Sequence, residues 1–195
     1  QKMPESKVSH YLKKRELPSR YILTVGTHEP RKNIASLIRA LASTREDHVL
    51  VSIGWPGWLN TEFDQEIRRL KMEDRVICLG HVPDEELVLL YSGASLMVYP
   101  SLYEGFGLPI LEAMACGCPV ICSNTSSMPE VAGDAAILVS PKDELALTEA
   151  INNAMEDKEL SQQLIESGYS RAKKYSWNKT AQDTNSIFQM ASLYN

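Results

Sequence analysis

Cysteine, phenylalanine and tryptophan are scarce in this chain, whose 195 residues include 4 Cys, 3 Phe and 3 Trp. So few cysteines, three of them between Cys116 and Cys122, cannot staple a chain of this length as a disulfide scaffold. Together with Cys78 they also lack the C-x-x-C spacing of a zinc knuckle, so they read as small buried thiols in helix and strand, and no metal site is expected. A basic excess is missing too: 20 Lys+Arg against 25 Asp+Glu leave a net charge of −5, which argues against a nucleic-acid partner. No apolar run approaches the ~20 residues needed to span a bilayer, and residues 1–10 hold no signal-peptide core, so a cytoplasmic location is expected. The chain opens on Gln1 rather than Met, which points to a piece of a longer protein.

Several catalytic motifs are absent as well. There is no G-x-G-x-x-G after a strand, no G-x-x-x-x-G-K-[ST], no G-x-S-x-G elbow and no H-E-x-x-H. Dinucleotide-dependent dehydrogenases, P-loop NTPases, α/β-hydrolases and zinc proteases lose their usual signatures with them.

What is present is an alternation. Short Val/Ile/Leu-rich runs at Tyr21–Val25, His48–Ile53, Val76–Leu79, Leu96–Tyr99, Pro119–Cys122 and Ala136–Val139 predict six strands. Segments of helical period lie between them, near Glu62–Lys71, Asp84–Ser92 and Leu108–Cys116, and the chain is helical from Asp143 onward. Ile34, Leu37, Ile38 and Leu41 recur at helical spacing, with Asn33 as the expected N-cap. This is the pattern of an α/β, Rossmann-like domain with one mostly parallel six-stranded sheet. Residues 1–19, polar with a narrow apolar stripe at Val8, Tyr11 and Leu12, read as an arm or linker, and residues 20–175 as the domain. Residues 176–195 read as a helix capped by Ser176, whose Trp177, Ala181, Thr184, Phe188 and Ala191 form a stripe that must cover something.

Two segments carry chemistry. From Gly105 to Pro129 the only charged residue is Glu112, set among Ile110, Leu111, Ala113 and Met114, where a carboxylate needs a hydrogen-bonding partner. Glu104 precedes it by eight residues, just after a strand, and Gly105-Phe106-Gly107-Leu108-Pro109 lies between. The glycines allow a tight turn and Pro109 suits a first helical turn, so helix N–H groups face the carboxyl edge of the sheet, where open α/β sheets bind ligands. Amide donors favour phosphate and the carboxylates accept from paired hydroxyls, a combination suited to a phosphorylated polyol. The second segment, Gly26-Thr27-His28-Glu29-Pro30-Arg31-Lys32-Asn33, places two cations at a helix N-terminus, which opposes the macrodipole unless an anion docks there. His28 and His81 fall in loops that could line the same cleft, whereas His10 and His48 read as incidental.

Glu104-Gly105-Phe106-Gly107 with Glu112 resembles the E-x₇-E motif of the family-4 retaining glycosyltransferases, and Gly26 through Asn33 resembles their phosphate-binding loop. The likeness continues through Leu79-Gly80-His81-Val82 with Leu90-Tyr91, Cys116-Gly117-Cys118-Pro119-Val120 and Met128-Pro129-Glu130-Val131. It implies the C-terminal, donor-binding domain of a GT-B enzyme, facing an acceptor-binding N-terminal domain that this chain lacks, with no divalent metal or cofactor. The implied donor is a GDP-sugar or UDP-sugar, GDP-mannose first, and polysaccharide synthesis by the whole protein is compatible with peripheral contact with a membrane.

By that resemblance Glu104 meets the transferred sugar, Glu112 the ribose, and Lys32 with Arg31 the diphosphate. The backbone of Phe106, Gly107 and Leu108 meets phosphate and sugar, Gly26 and Thr27 belong to the phosphate loop, and Val82 lies beside the base. Thr27 departs from the Arg that many members carry there. An isolated domain is expected to bind donor without transferring sugar. A nucleotide-sugar epimerase of the same architecture and a non-catalytic nucleotide-sugar-binding module are the competing readings.

Overall fold

A computed structural model describes residues 2–55 and 61–192. All six expected strands form: β1 (Ile22–Val25), β2 (Leu50–Ile53), β3 (Val76–Gly80), β4 (Leu96–Tyr99), β5 (Val120–Ser123) and β6 (Ile137–Val139). They make one sheet in the order β3-β2-β1-β4-β5-β6, with every pairing parallel. Strands β2, β4 and β5 are buried throughout, as strands covered on both faces must be, which is why they read as largely apolar runs.

Alternate strand residues supply two cores. Tyr21, Leu23, Val51, Ile53, Met97, Tyr99, Val120 and Cys122 face one side; Ile22, Leu50, Leu96, Val98 and Ile121 face the other. The first side is covered by α1 (Glu5–Lys14), α4 (Asp84–Gly93), α5 (Leu108–Ala115) and α6 (Met128–Ala132), the second by α2 (Ile34–Ala42), α3 (Thr61–Arg69) and α7 (Glu144–Glu156). Helix α8 (Lys158–Ala172) packs on α5, and α9 (Trp177–Ser192) follows it.

Three expectations need correction. The segment read as an arm contains a packed helix: Val8, Tyr11 and Leu12 of α1 are buried against α4, and Tyr11 Oη donates to Glu86 Oε2 at 2.6 Å. A narrow stripe suffices because Gly93 on α4 has no side chain; a Cβ there would lie 2.8 Å from Val8 Cγ1 and 3.2 Å from Leu12 Cδ1. Cys78 is exposed, unlike the buried Cys116, Cys118 and Cys122, because β3 is an edge strand. Asn33 occupies the N-cap position of α2 in a left-handed conformation (φ 55°), yet its side chain caps nothing. Its Nδ2 donates instead to the carbonyls of Pro100 (3.1 Å) and Pro141 (2.8 Å), tying three loops together.

Helix α9 does form, with the Lys179 N–H donating to Ser176 Oγ at 3.1 Å as a cap. Its Trp177, Phe188 and Ala191 stay exposed, as do Ile187 and Met190.

Candidate functional site

Strands β1 and β4 are neighbours, but β1 leads to β2 on one side and β4 to β5 on the other. Their following helices also part, α2 packing on one face and α5 on the opposite one. The loops leaving β1 and β4 therefore open a crevice at the carboxyl edge, the place where doubly wound sheets bind ligands. Both segments singled out from the sequence lie there.

The structure joins them through charge. Lys32 Nζ donates to Glu104 Oε1 at 2.7 Å and to the Tyr99 hydroxyl at 2.7 Å. Arg31 Nη1 donates to Glu104 Oε2 at 2.9 Å, while its Nε pairs with Glu29 Oε2 at 3.0 Å. The main chain reinforces the seam, because the Leu102 N–H donates to the Arg31 carbonyl at 2.7 Å. Glu104 and Lys32 are each 8% exposed, so their charges are largely withdrawn from water, and Arg31 is the solvent-facing member. Burial alone would raise the Glu104 pKa; the Lys32 hydrogen bond and charge, with the nearby Ser101 and Tyr99 hydroxyls, outweigh it and hold the carboxyl below its ordinary value. Burial pushes the Tyr99 phenol far up, and the Glu104 charge adds to that.

This arrangement alters the division of labour inferred from the sequence. The carboxylate assigned to the sugar and the cations assigned to the diphosphate are partners of one another. A carboxylate offers about four lone-pair sites, so Glu104 can begin to accept from a further donor beside these two, and it is released from the cations where another anion takes them up.

Glu112 differs more from expectation. It is exposed, not desolvated, because the 3.6-residue period turns position 112 outward while Ile110, Leu111, Ala113 and Met114 enter the core. The buried Tyr91 of α4 donates to its Oε2 at 3.0 Å, leaving Oε1 open.

Between the carboxylates, Gly107 adopts φ +102° at the N-cap of α5, and Phe106 and Leu108 are exposed. Among the described residues, the N–H groups of Phe106, Gly107 and Leu108 donate to no main-chain carbonyl, so they are free for an anion. The turn is held from the β5–α6 loop. Ser127 Oγ lies 2.9 Å from the Glu104 carbonyl and 2.8 Å from that of Phe106, and the Glu104 N–H donates to Ser126 Oγ at 3.1 Å.

In the first loop, Gly26 has φ +144°, and a Cβ there would sit 3.0 Å from Lys32 Cε. Thr27 is half-buried beside it. His28 does not line the crevice as a free imidazole: its Nε2 lies 2.7 Å from Ser52 Oγ and its ring 4.5 Å from that of Phe63. His81 is exposed and stacks on Trp55 at 5.8 Å, with ring planes 5° apart. Val82 is 4% exposed and belongs to the core, so anything it gives a ligand comes from its main chain. Among the described residues, no three His, Cys, Asp or Glu side chains gather as metal ligands.

Sequence reasoning missed Tyr99, Ser126, Ser127 and the bridging role of Asn33. Tyr99 ends a strand and reads as core, whereas the serines precede Met128-Pro129 in a loop whose polar run was the only signal.

The family described as glycosyl transferases group 1 matches residues 11–171. The O-antigen chain mannosyltransferase B of Escherichia coli is 44% identical over 174 residues, covering 87% of this chain and 46% of that protein. Sucrose-phosphate synthase of Thermosynechococcus elongatus superposes with a TM-score of 0.84 at 26% identity, over 100% of this chain and 52% of that one. A C-terminal domain of a group 1 glycosyl transferase from Francisella tularensis gives a TM-score of 0.75 at 25% identity, over 88% and 93% respectively. The chain spans less than half the length of the curated relatives it matches, from 46% of mannosyltransferase B down to 21% of the serotype-specific mannosyltransferase WbdA of Escherichia coli.

Proposed function

The chain belongs to the glycosyl transferases group 1 family, and from that membership we propose that it is the C-terminal, donor-binding domain of a retaining hexosyltransferase of family 4. The donor we favour is GDP-mannose, with a UDP-sugar second, because the E. coli relative at 44% identity is described as a mannosyltransferase. The observation that carries the reading is the Arg31–Glu104–Lys32 cluster, which places two cations and a carboxylate at the switch point of the sheet.

In this reading Lys32, Arg31 and the free N–H groups of Phe106, Gly107 and Leu108 receive the diphosphate, whose negative charge grows as the glycosidic bond breaks. Fixed donors stabilise that charge without reorganising. As phosphate takes up the cations, Glu104 turns its oxygens to the sugar hydroxyls and holds the ring in its reactive pose. Glu112 Oε1 accepts from the ribose, while Tyr91 fixes the other oxygen. The exposed stripe of α9, with Trp177, Ile187 and Phe188, is assigned to the acceptor-binding domain of the whole protein, so these residues alone bind donor and do not transfer.

Calorimetric titration with GDP, UDP and ADP, and then with their hexose conjugates, tests this. Micromolar to millimolar binding of one nucleotide series is expected; failure of all three to bind would overturn the assignment.

A further inference from the structure

Lys32 is the cation at the centre of the crevice, and what orients it is a residue of the core. Its ammonium has three N–H donors, of which two are used, by Glu104 Oε1 and by the Tyr99 hydroxyl, each at 2.7 Å. One N–H is left for a ligand. Tyr99 is 2% exposed and closes β4, where its main chain pairs in register with Cys122 of β5, so it stands at the carboxyl end of an inner strand with its ring packed in the core. The same ring passes 4.8 Å from the ammonium at its centroid. Glu104, by contrast, stands on a loop and is shared with Arg31. On the opposite side Gly26 leaves space, since a Cβ there would lie 3.0 Å from Lys32 Cε and 3.2 Å from Nζ.

We propose that Tyr99 is a positioning residue for the diphosphate site: its hydroxyl holds the Lys32 ammonium in place while Glu104 exchanges the cation for the sugar. This rests on the donor-binding reading above. A neutral hydroxyl is suited to the task. It accepts from the ammonium without cancelling its charge, so Lys32 keeps its attraction for phosphate, whereas a second carboxylate would compete with the ligand. Without the hydroxyl, Lys32 is oriented by Glu104 alone, and the cation shifts whenever Glu104 does.

The test is a double-mutant cycle on nucleoside diphosphate binding to this chain, read by calorimetry with whichever of GDP or UDP binds wild type. Tyr99→Phe keeps the ring and its buried volume, and is expected to weaken binding about tenfold, the scale of one charge-assisted hydrogen bond. Lys32→Gln is expected to weaken binding at least as much, and the double variant Tyr99→Phe/Lys32→Gln to bind no worse than Lys32→Gln alone, because Tyr99 acts through the ammonium. Additive losses, or Tyr99→Phe binding like wild type, would overturn the proposal and leave the donor-binding reading standing. Wild type failing to bind either nucleotide would overturn both. Should Tyr99→Phe not fold, the ζ-ammonium of Lys32 in wild type gives the reading by ¹⁵N NMR. A slowly exchanging resonance that retains a coupling to the Tyr99 hydroxyl on nucleotide binding is expected, and its loss on binding would overturn the proposal.

Discussion

Lys32 Nζ and Glu104 Oε1 lie 2.7 Å apart at the point where the strand order of the parallel sheet reverses, so one ion pair closes the crevice between the β1 and β4 loops. Removing one partner of a buried pair leaves the other charge uncompensated, at about 3 kcal/mol for a site that keeps one hydrogen bond. Glu104→Gln is therefore expected to lower the free energy of unfolding by about that much in urea denaturation. The same variant should bind the nucleoside diphosphate at least as well as wild type, since Lys32 and Arg31 are released, while losing any preference for the sugar conjugate over the bare diphosphate. Unchanged stability would show that the pair is not closed in solution.

The Glu104 carboxyl is held below the ordinary value near 4.5, since the Lys32 bond and charge outweigh the opposing effect of burial. Its folded form binds a proton less readily than its unfolded form, so this contribution to stability is complete above about pH 4.5 and is lost as pH falls through the lower folded value. Urea midpoints between pH 3 and pH 6 should fall with acidity, and the fall should be shallower in Glu104→Gln. Parallel profiles would remove Glu104 from the acid transition.

Much of this architecture was legible before the structure. Parallel strands buried on both faces have to be largely apolar runs, which made the inner strands visible, and the half-buried edge strands β3 and β6 kept the same Val/Ile/Leu-rich composition. The site loops announced themselves through charges placed against the helix dipole and through glycine and proline punctuation. What stayed hidden was set by contacts distant in sequence. The packing of α1 depends on Gly93, about eighty residues away, and Asn33 bridges Pro100 and Pro141 instead of capping its own helix. The surroundings of Glu112 are hidden because its linear neighbours are not its spatial ones; helical geometry turns it to solvent while the residues on either side go inward.

The α1–α4 contact is open to a single substitution. Gly93→Ala improves helix propensity by about 1 kcal/mol, but its Cβ would meet Val8 Cγ1 at 2.8 Å and the Tyr21 hydroxyl at 3.1 Å. Overpacking of this kind costs about 1–3 kcal/mol, so net destabilisation is expected by thermal unfolding. A rise in the midpoint would mean that α1 is not seated on α4.

Histidine contributes a second pH window. Burial lowers the pKa of His28 against a smaller opposing effect of Asp64, and burial lowers that of His48 as well. Each folded value lies below 6.5, so between that value and the folded one the unfolded chain holds more protons. Stability from both is full above about pH 6.5 and falls as pH drops below it. Denaturation at pH 7.5 and 5.5 should show lower stability at the acid end, by less in His28→Gln than in wild type. Identical differences in the two proteins would remove His28 from the acid-side loss.

Glu112 can be separated from the scaffold because it is exposed and makes one protein contact. Glu112→Gln keeps an oxygen for the buried Tyr91 hydroxyl at the 3.0 Å position, so stability should stay within about 0.5 kcal/mol of wild type. Binding should not be spared. A hydrogen bond to a charged acceptor is worth about 1.5–3 kcal/mol against about 0.5–1.5 for a neutral one, and the difference corresponds to roughly tenfold in affinity. If Oε1 accepts from a ribose hydroxyl, calorimetry should show that loss for the nucleotide, and the corresponding 2′-deoxynucleotide should lose much less. Equal losses for the two nucleotides would detach Glu112 from the 2′-hydroxyl, and an unchanged dissociation constant would remove it from the site.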